Sequence, residues 1–232
     1  MNIETMEGRT LFSVTVSEVA PGYYQFDGDS APDEINISLD MQNGTMSFND
    51  TEYAGVAYIM VNGGGGNDTI SVVATAPGQI AAGINGDEGC DFIACNFDAV
   101  ISGGNGGDEI HLGDAYDGMV FGDGGSDCIY VSGYCLGAVI DGGTGGDFID
   151  ATESLFGVTI YGGTGDDQIY GSNYDDTIYG GTGADIIVAL NGQDGIYSAG
   201  DGAIDWIDGG DGQDTLFGDV VEIKIQNVES FA

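Results

Sequence analysis

The 232-residue chain has almost no positive charge. Arg9 and Lys224 are its two basic residues, set against 39 aspartates and glutamates, and the formal net charge is −37. No cationic patch is available to neutralise phosphates, which excludes nucleic-acid binding. The same shortage removes any electrostatic grip on anionic membranes. No window approaches the ~20 apolar residues that a membrane helix requires, and the longest clean run, Ala54 to Val61, is far shorter. The sequence therefore shows no transmembrane segment. The first residues, Met-Asn-Ile-Glu-Thr-Met-Glu-Gly-Arg, are acidic with no hydrophobic stretch behind them, so no cleavable signal peptide is expected. Sustained helical periodicity is missing throughout, and helix content should be near zero.

Other absences narrow the chemistry. Cys90, Cys95, Cys128 and Cys135 contain no Cys-x-x-Cys pair, which argues against a zinc ribbon or redox motif and for incidental reduced thiols. The sole histidine, His111, follows an inward-pointing isoleucine and should face outward. No Ser/His/Asp set, zinc signature or nucleotide loop accompanies it, so no catalytic residue is assigned and the chain reads as a non-enzyme. Glycine is abundant at 44 residues, but it falls short of one in three and lacks a three-residue period, which excludes collagen. With 42% apolar residues the chain is not a disordered acidic tail.

What the sequence does have is a repeat. Gly-Gly-x-Gly-x-Asp occurs six times, at 63–68, 103–108, 142–147, 162–167, 180–185 and 209–214. Two residues past each aspartate stands Ile or Leu: Ile70, Ile110, Ile149, Ile169, Ile187 and Leu216. Degenerate copies end at Asp91, Asp127, Asp176, Asp194 and Asp205. The sixth-position series is thus Asp68, Asp91, Asp108, Asp127, Asp147, Asp167, Asp176, Asp185, Asp194, Asp205 and Asp214. Before Asp167 the spacing is about twenty residues; after it, about nine. One coil of 18–20 residues with two short strands explains both regimes, the later coils carrying the motif at both turns and the middle coils at one.

Period-two alternation within strands then gives two inward columns. One reads Ile93, Ile110, Ile129, Ile149, Ile169, Ile187, Ile207; the other reads Val61, Ile84, Ile101, Val120, Ile140, Ile160, Ile178. The expected fold is all-β, a parallel solenoid with a thin branched-aliphatic core. Stacking sets same-side loop neighbours at 68/91, 91/108, 108/127, 127/147, 147/167, 167/185 and 185/205, and on the other side at 176/194 and 194/214.

The loop composition suits calcium. The ion takes six to eight oxygens at ~2.3–2.6 Å. Glycine permits the positive φ that turns carbonyls toward one spot, and the aspartate adds a carboxylate. One loop supplies too few ligands and two stacked loops supply enough, so about six to nine Ca2+ ions are expected. Eight ions would lower the charge from −37 to about −21, and binding should be coupled to folding.

These loops resemble the RTX, or haemolysin-type, calcium-binding nonapeptide repeat over about residues 63–217. The resemblance implies a right-handed parallel β-roll with calcium in its turns. It further implies ligation by the sixth-position aspartates and by loop carbonyls, here those of Gly63, Gly65, Gly103, Asn105, Gly142, Thr144, Gly162, Thr164, Gly180, Thr182, Gly209 and Asp211. Members are commonly bacterial, exported unfolded, and folded outside on meeting calcium. The chain is therefore expected to be secreted or at a cell surface, as a structural or adhesive module.

The ends differ in texture. Residues 1–62 read as an N-terminal β cap, with alternation at Leu11–Val19, a hairpin around Asn43-Gly44 and a worn first repeat at Gly28–Ile35. Residues 218–232 read as a closing strand. The alternative role is an accessory ligand-binding module of a larger secreted protein or enzyme, with carbohydrate or ice as ligand. Outward aromatics (Phe92, Phe148, Trp206, Tyr130, Tyr161, Tyr170, Tyr179) could stack on a surface glycan, though shielding a thin sheet is the plainer role. Thr144, Thr164 and Thr182 recur at one loop position, but the fifth position (Asn67, Cys90, Gly107, Ser126, Gly146, Asp166, Ala184) forms no array for ice. No particular protein partner is indicated.

Overall fold

The structure is a computed structural model that describes residues 14–75, 80–198, 203–218 and 223–231. Leu11 to Ser13 of the expected first strand, residues 200–202 of the loop ending at Asp205 and residues 219–222 of the expected closing strand lie outside them. No helix occurs among the described residues.

The chain winds between two facing sheets of twelve strands each. It passes from Ala99–Asn105 in one sheet to Glu109–Gly113 in the other, back to Met119–Gly124, then to Cys128–Gly133, Val139–Thr144, Phe148–Ser154 and Thr159–Thr164. Each strand pairs in parallel with the strand one coil away, as coils of one hand stacked along an axis require.

Branched aliphatic residues set the register. Ile93, Ile110, Ile129, Ile149, Ile169, Ile187 and Ile207 are direct cross-strand partners and have 0% exposure. The facing column from Val61 to Ile178 pairs in the same way and continues into Ile196 and Leu216. A one-residue slip would turn either whole column to solvent, which pins the register at every coil. Fully burying each such side chain is worth about 1.5–3 kcal/mol.

The chain start extends both sheets. Thr15–Ala20 pairs antiparallel with Tyr23–Asp27 at the end of one sheet, and Glu34–Asp40, Thr45–Phe48 and Thr51–Ala54 form an antiparallel meander at the end of the other. The hairpin forms where Asn43-Gly44 suggested, but its loop has four residues, Met41 to Gly44, instead of two. Asp40 is the reason: its Oδ1 accepts from Gln42 N and Asn43 N at 3.1 Å each, and Asn43 Nδ2 donates to its Oδ2 at 2.7 Å. These bonds hold the carboxyl of Asp40 below the usual carboxylate range. At the other end, Ile223–Gln226 and Ser230–Phe231 add one short strand to each sheet. All four cysteines are free, Cys95 and Cys135 being buried.

The outward aromatics stack on one another. Tyr161, Tyr179, Tyr197 and Phe217 form a parallel pile with centroids 4.7, 4.4 and 4.5 Å apart. The other sheet carries Phe92, His111, Tyr130, Phe148 and Tyr170 in sequence. The rings of the first pile lie face to face, which leaves no gap for a sugar ring between them and favours the shielding role, whereas most contacts of the second pile are tilted. Such pairs are worth ~0.5–1.5 kcal/mol each beyond burial. Tyr179→Ala breaks two of them and should cost about 1–3 kcal/mol in thermal melts, with Tyr179→Phe near wild type. Equal losses for both variants would show that the hydroxyl, not the stack, matters.

Candidate metal centre

In the loops 103–108, 142–147, 162–167 and 180–185 the first three residues continue the strand, and the remainder turns sharply. Gly64, Gly104, Gly143, Gly163 and Gly181 at the second position and Gly66, Gly106, Gly145 and Gly165 at the fourth have φ between +96° and +148°. Reversing the chain in so few residues requires this left-handed backbone.

Each turn folds its sixth-position aspartate inward. All eleven aspartates of the series are buried, none more than 3% exposed. They form ladders, because the backbone N–H of one aspartate donates to Oδ1 of the aspartate one coil on. The pairs 68/91, 91/108, 108/127, 127/147, 147/167, 167/185 and 185/205 are bonded at 2.7–3.0 Å on one side. The pairs 176/194 and 194/214 are bonded at 2.8 and 3.0 Å on the other. The stacking read from the repeat thus appears as direct contacts.

Two further ladder members lie outside the aspartate series, one of them in the worn first repeat. Asp33 N donates to Asp68 Oδ1 at 2.7 Å, which makes residues 28–33 the first rung. Its loop, Gly-Asp-Ser-Ala-Pro-Asp, keeps only the first glycine and the last aspartate, but Ile35 two residues on was the signal. Glu229 closes the other end, its Oε2 accepting from Asp214 N at 2.9 Å. A glutamate outside any glycine-rich loop gives no sequence signal.

The second carboxylate oxygen is the notable one. Oδ2 of Asp68, Asp91, Asp108, Asp127, Asp147, Asp167, Asp194 and Asp214 is buried with no hydrogen-bond partner among the described residues. A buried polar atom left this way is costly, and a buried charge more so. The one contact between a basic side chain and a carboxylate found among the described residues is the exposed hydrogen bond between His111 Nε2 and Glu109 Oε1, at 2.8 Å. It supplies no cation to the ladders. Burial pushes Asp127, Asp167 and Asp194 up to about 7 and Asp91 up to about 6, opposed by the backbone N–H bond and reinforced by neighbouring carboxylates. Asp68, Asp108, Asp147 and Asp214 are raised from the same first cause.

The loop carbonyls come close to these oxygens. A Cβ added to Gly63 would lie 2.5 Å from both Asp68 Oδ2 and Gly86 O. The same cradle recurs at Gly103, between Asp108 Oδ2 and Gly122 O, at Gly142, between Asp147 Oδ2 and Gly162 O, and at Gly162, between Asp167 Oδ2 and Gly180 O. Gly209 sits between Asp214 Oδ2 and Asn227 O, and Gly180 against Asp185 Oδ2. First-position glycine keeps this space open. The third position plays another part: the carbonyls of Asn105, Thr144, Thr164 and Thr182 each accept an N–H from the fourth residue of the preceding coil, at 2.7–2.8 Å. Gly65 N and Asp211 N donate to second-position carbonyls of the preceding coil at 2.7 and 2.8 Å. A carbonyl holding one such bond retains a second lone pair.

Two members of the series differ. Asp176 has both oxygens engaged, Oδ2 by Ser172 N at 2.7 Å and Oδ1 by Val158 N at 2.8 Å and the Ser172 hydroxyl at 2.9 Å. Asp205 Oδ2 accepts from the Ser198 hydroxyl. In the 189–194 loop the first position is Ala189, so a methyl stands where the others carry hydrogen.

Among the described residues no three His, Cys, Asp or Glu side chains converge on one point. Any ion held here draws on one or two carboxylates and fills its shell with backbone carbonyls. A row of buried, unpartnered, hard oxygens beside carbonyls fits a hard divalent cation and suits neither zinc nor copper. Fold and turns together define a parallel β-solenoid with cation-seeking turns. The family of the RTX calcium-binding nonapeptide repeat matches the chain in four copies, over residues 60–71, 161–196 and 199–220. The chain therefore carries RTX calcium-binding nonapeptide repeats, which support a calcium-binding repeat protein. The match skips the middle coils, where one turn in two lost the motif while the ladder ran on unbroken. No curated protein and no solved structure matches the chain.

Proposed function

We propose that the chain is a calcium-folded module of the extracellular space or cell surface, with a structural or adhesive role. The carrying observation is the row of buried carboxylate oxygens that the protein leaves without a partner. In this reading the ions, about six to nine, rest on the sixth-position aspartates and on first- and third-position loop carbonyls of adjacent coils. Calcium supplies the positive charge that the sequence lacks. Residues 1–62 cap the roll, residues 63–217 bind the ions, and residues 218–232 close the far end.

Extracellular calcium modules bind at ~10⁻⁴–10⁻³ M, which keeps such a chain ion-free at cytosolic calcium and loaded outside. A charge of −37 swells the ion-free chain by self-repulsion. Adding millimolar calcium should therefore shrink the hydrodynamic radius from that of an unfolded chain to that of a compact rod, with several ions bound per chain at equilibrium dialysis against the same calcium. Magnesium should not substitute, because it demands a smaller octahedral shell. An unchanged radius with no ion bound would contradict the reading.

A further inference from the structure

The loops with buried aspartates take two backbone forms, and the second loop position sorts them. In six consecutive turns on one side the second residue is left-handed: Gly64, Asp87, Gly104, Asp123, Gly143 and Gly163, with φ between +69° and +106°. The aspartate four residues on, from Asp68 to Asp167, keeps Oδ2 buried and without a partner in all six. In the 171–176 loop the second residue is Ser172, which is not among the positive-φ residues. Its N–H points into the turn and closes Asp176 Oδ2, while its hydroxyl, 0% exposed, donates to Oδ1. The first rung repeats this form, with Asp29 N donating to Asp33 Oδ2 at 2.8 Å. Rotation about φ at one residue therefore decides whether the N–H fills the carboxylate's second acceptor or faces away from it. Gly64 N, in the open form, donates instead to Asp87 Oδ2 in the next coil, at 3.2 Å.

Strain points the same way. Asp87 and Asp123 hold φ of 71° and 69° although they have side chains, a conformation most L-residues avoid and aspartate adopts only occasionally. In both loops a return to negative φ would relieve that strain and offer the buried oxygen an N–H, as at Ser172. The open form persists where something else is to occupy that acceptor.

We propose that the hand of the second loop residue selects which turns take calcium: the turns of Asp68, Asp91, Asp108, Asp127, Asp147 and Asp167 are ion sites, and that of Asp176 is a self-closed turn in which Ser172 replaces the ion. This rests on the calcium reading above. It removes Asp176 from the ligands that the repeat spacing suggested, and it keeps the degenerate loops 86–91 and 122–127 as full sites.

Crystals of the full chain grown with calcium, exchanged for a lanthanide and measured for anomalous scattering, test it. The expected map has a peak within coordination distance of each of the six aspartates and none at Asp176. A peak bound to Asp176, or none at Asp91 and Asp127, overturns the selection rule while leaving calcium binding intact. A map without any peak in the turns would defeat the calcium reading itself. In solution, Asp167→Asn should lower the calcium retained per chain by at least one ion and Asp176→Asn should leave it unchanged. Equal losses would overturn the rule.

Discussion

Gly145→Ala should abolish the fold of its coil. Gly145 stands at the fourth loop position with φ of +134°, and an added Cβ would lie 1.4 Å from Gly125 O in the preceding coil. Nothing flexible can give way, because the obstructing atom is backbone that is itself stacked on Gly106. The backbone conformation alone costs an L-residue about 1–3 kcal/mol, and the displaced coil adds the loss of its inter-coil bond, Gly145 N to Thr164 O at 2.7 Å. In a stack where each coil contacts only its neighbours, one broken coil uncouples those on either side. The expected loss is more than about 3 kcal/mol, seen as a second transition in calorimetry or as failure to fold in calcium. Gly65→Ala is the control. It lies in a loop of the same kind, with its nearest atom, Ser30 Cα, 3.6 Å away and without positive φ. It should stay within about 1 kcal/mol of wild type. Equal tolerance of the two variants would mean that the fourth-position stack does not exist.

Acid should stand in part for calcium. The folded state raises the carboxyls of Asp127, Asp167 and Asp194 to about 7 and that of Asp91 to about 6, from an ordinary value of 3.8. A folded value above the unfolded one means that the folded chain binds protons more tightly. Stability of the calcium-free fold therefore rises as pH falls from above 7 toward 4, and is lost as pH climbs back through 7. With calcium the sense reverses, since proton and ion compete for the same oxygens and affinity should fall below pH 7. The calcium-free chain should accordingly show more β signal in circular dichroism at pH 5 than at pH 8. Ordinary surface carboxylates titrate near 4, so a change between 5 and 7 reports the buried ladder and not the general relief of −37 charges. Identical disordered spectra at both pH values would place the aspartates in water.

Much of this architecture could be read from spacing. Period-two alternation around each motif located both inward columns, and the intervals between aspartates gave all nine stacked loop pairs, because a parallel solenoid permits one register. Less legible was what each aspartate does once inside. Ser172 and Asp87 both replace the second glycine, yet one closes its turn and the other leaves it open. The difference is a single torsion, which residue identity influences without fixing. Leu190 makes the point more sharply, holding φ of 78° in a position that its side chain disfavours. The loop of Asp33 was legible only as a worn repeat, because Pro32 and Ala31 stand where the motif wants a free residue and glycine. The four-residue hairpin loop followed from three bonds to Asp40 that outweigh the two-residue preference of Asn-Gly.

The central claim is that the acidic ladder is a calcium site and that filling it folds the chain. Titrating the calcium-free protein with calcium at pH 7.5, while recording circular dichroism and counting bound metal, addresses it most directly. The expected result is a cooperative rise in β signal that saturates together with several bound ions per chain. A full β spectrum before any calcium is added, or a bound-metal count that climbs with no change in the spectrum, would contradict it.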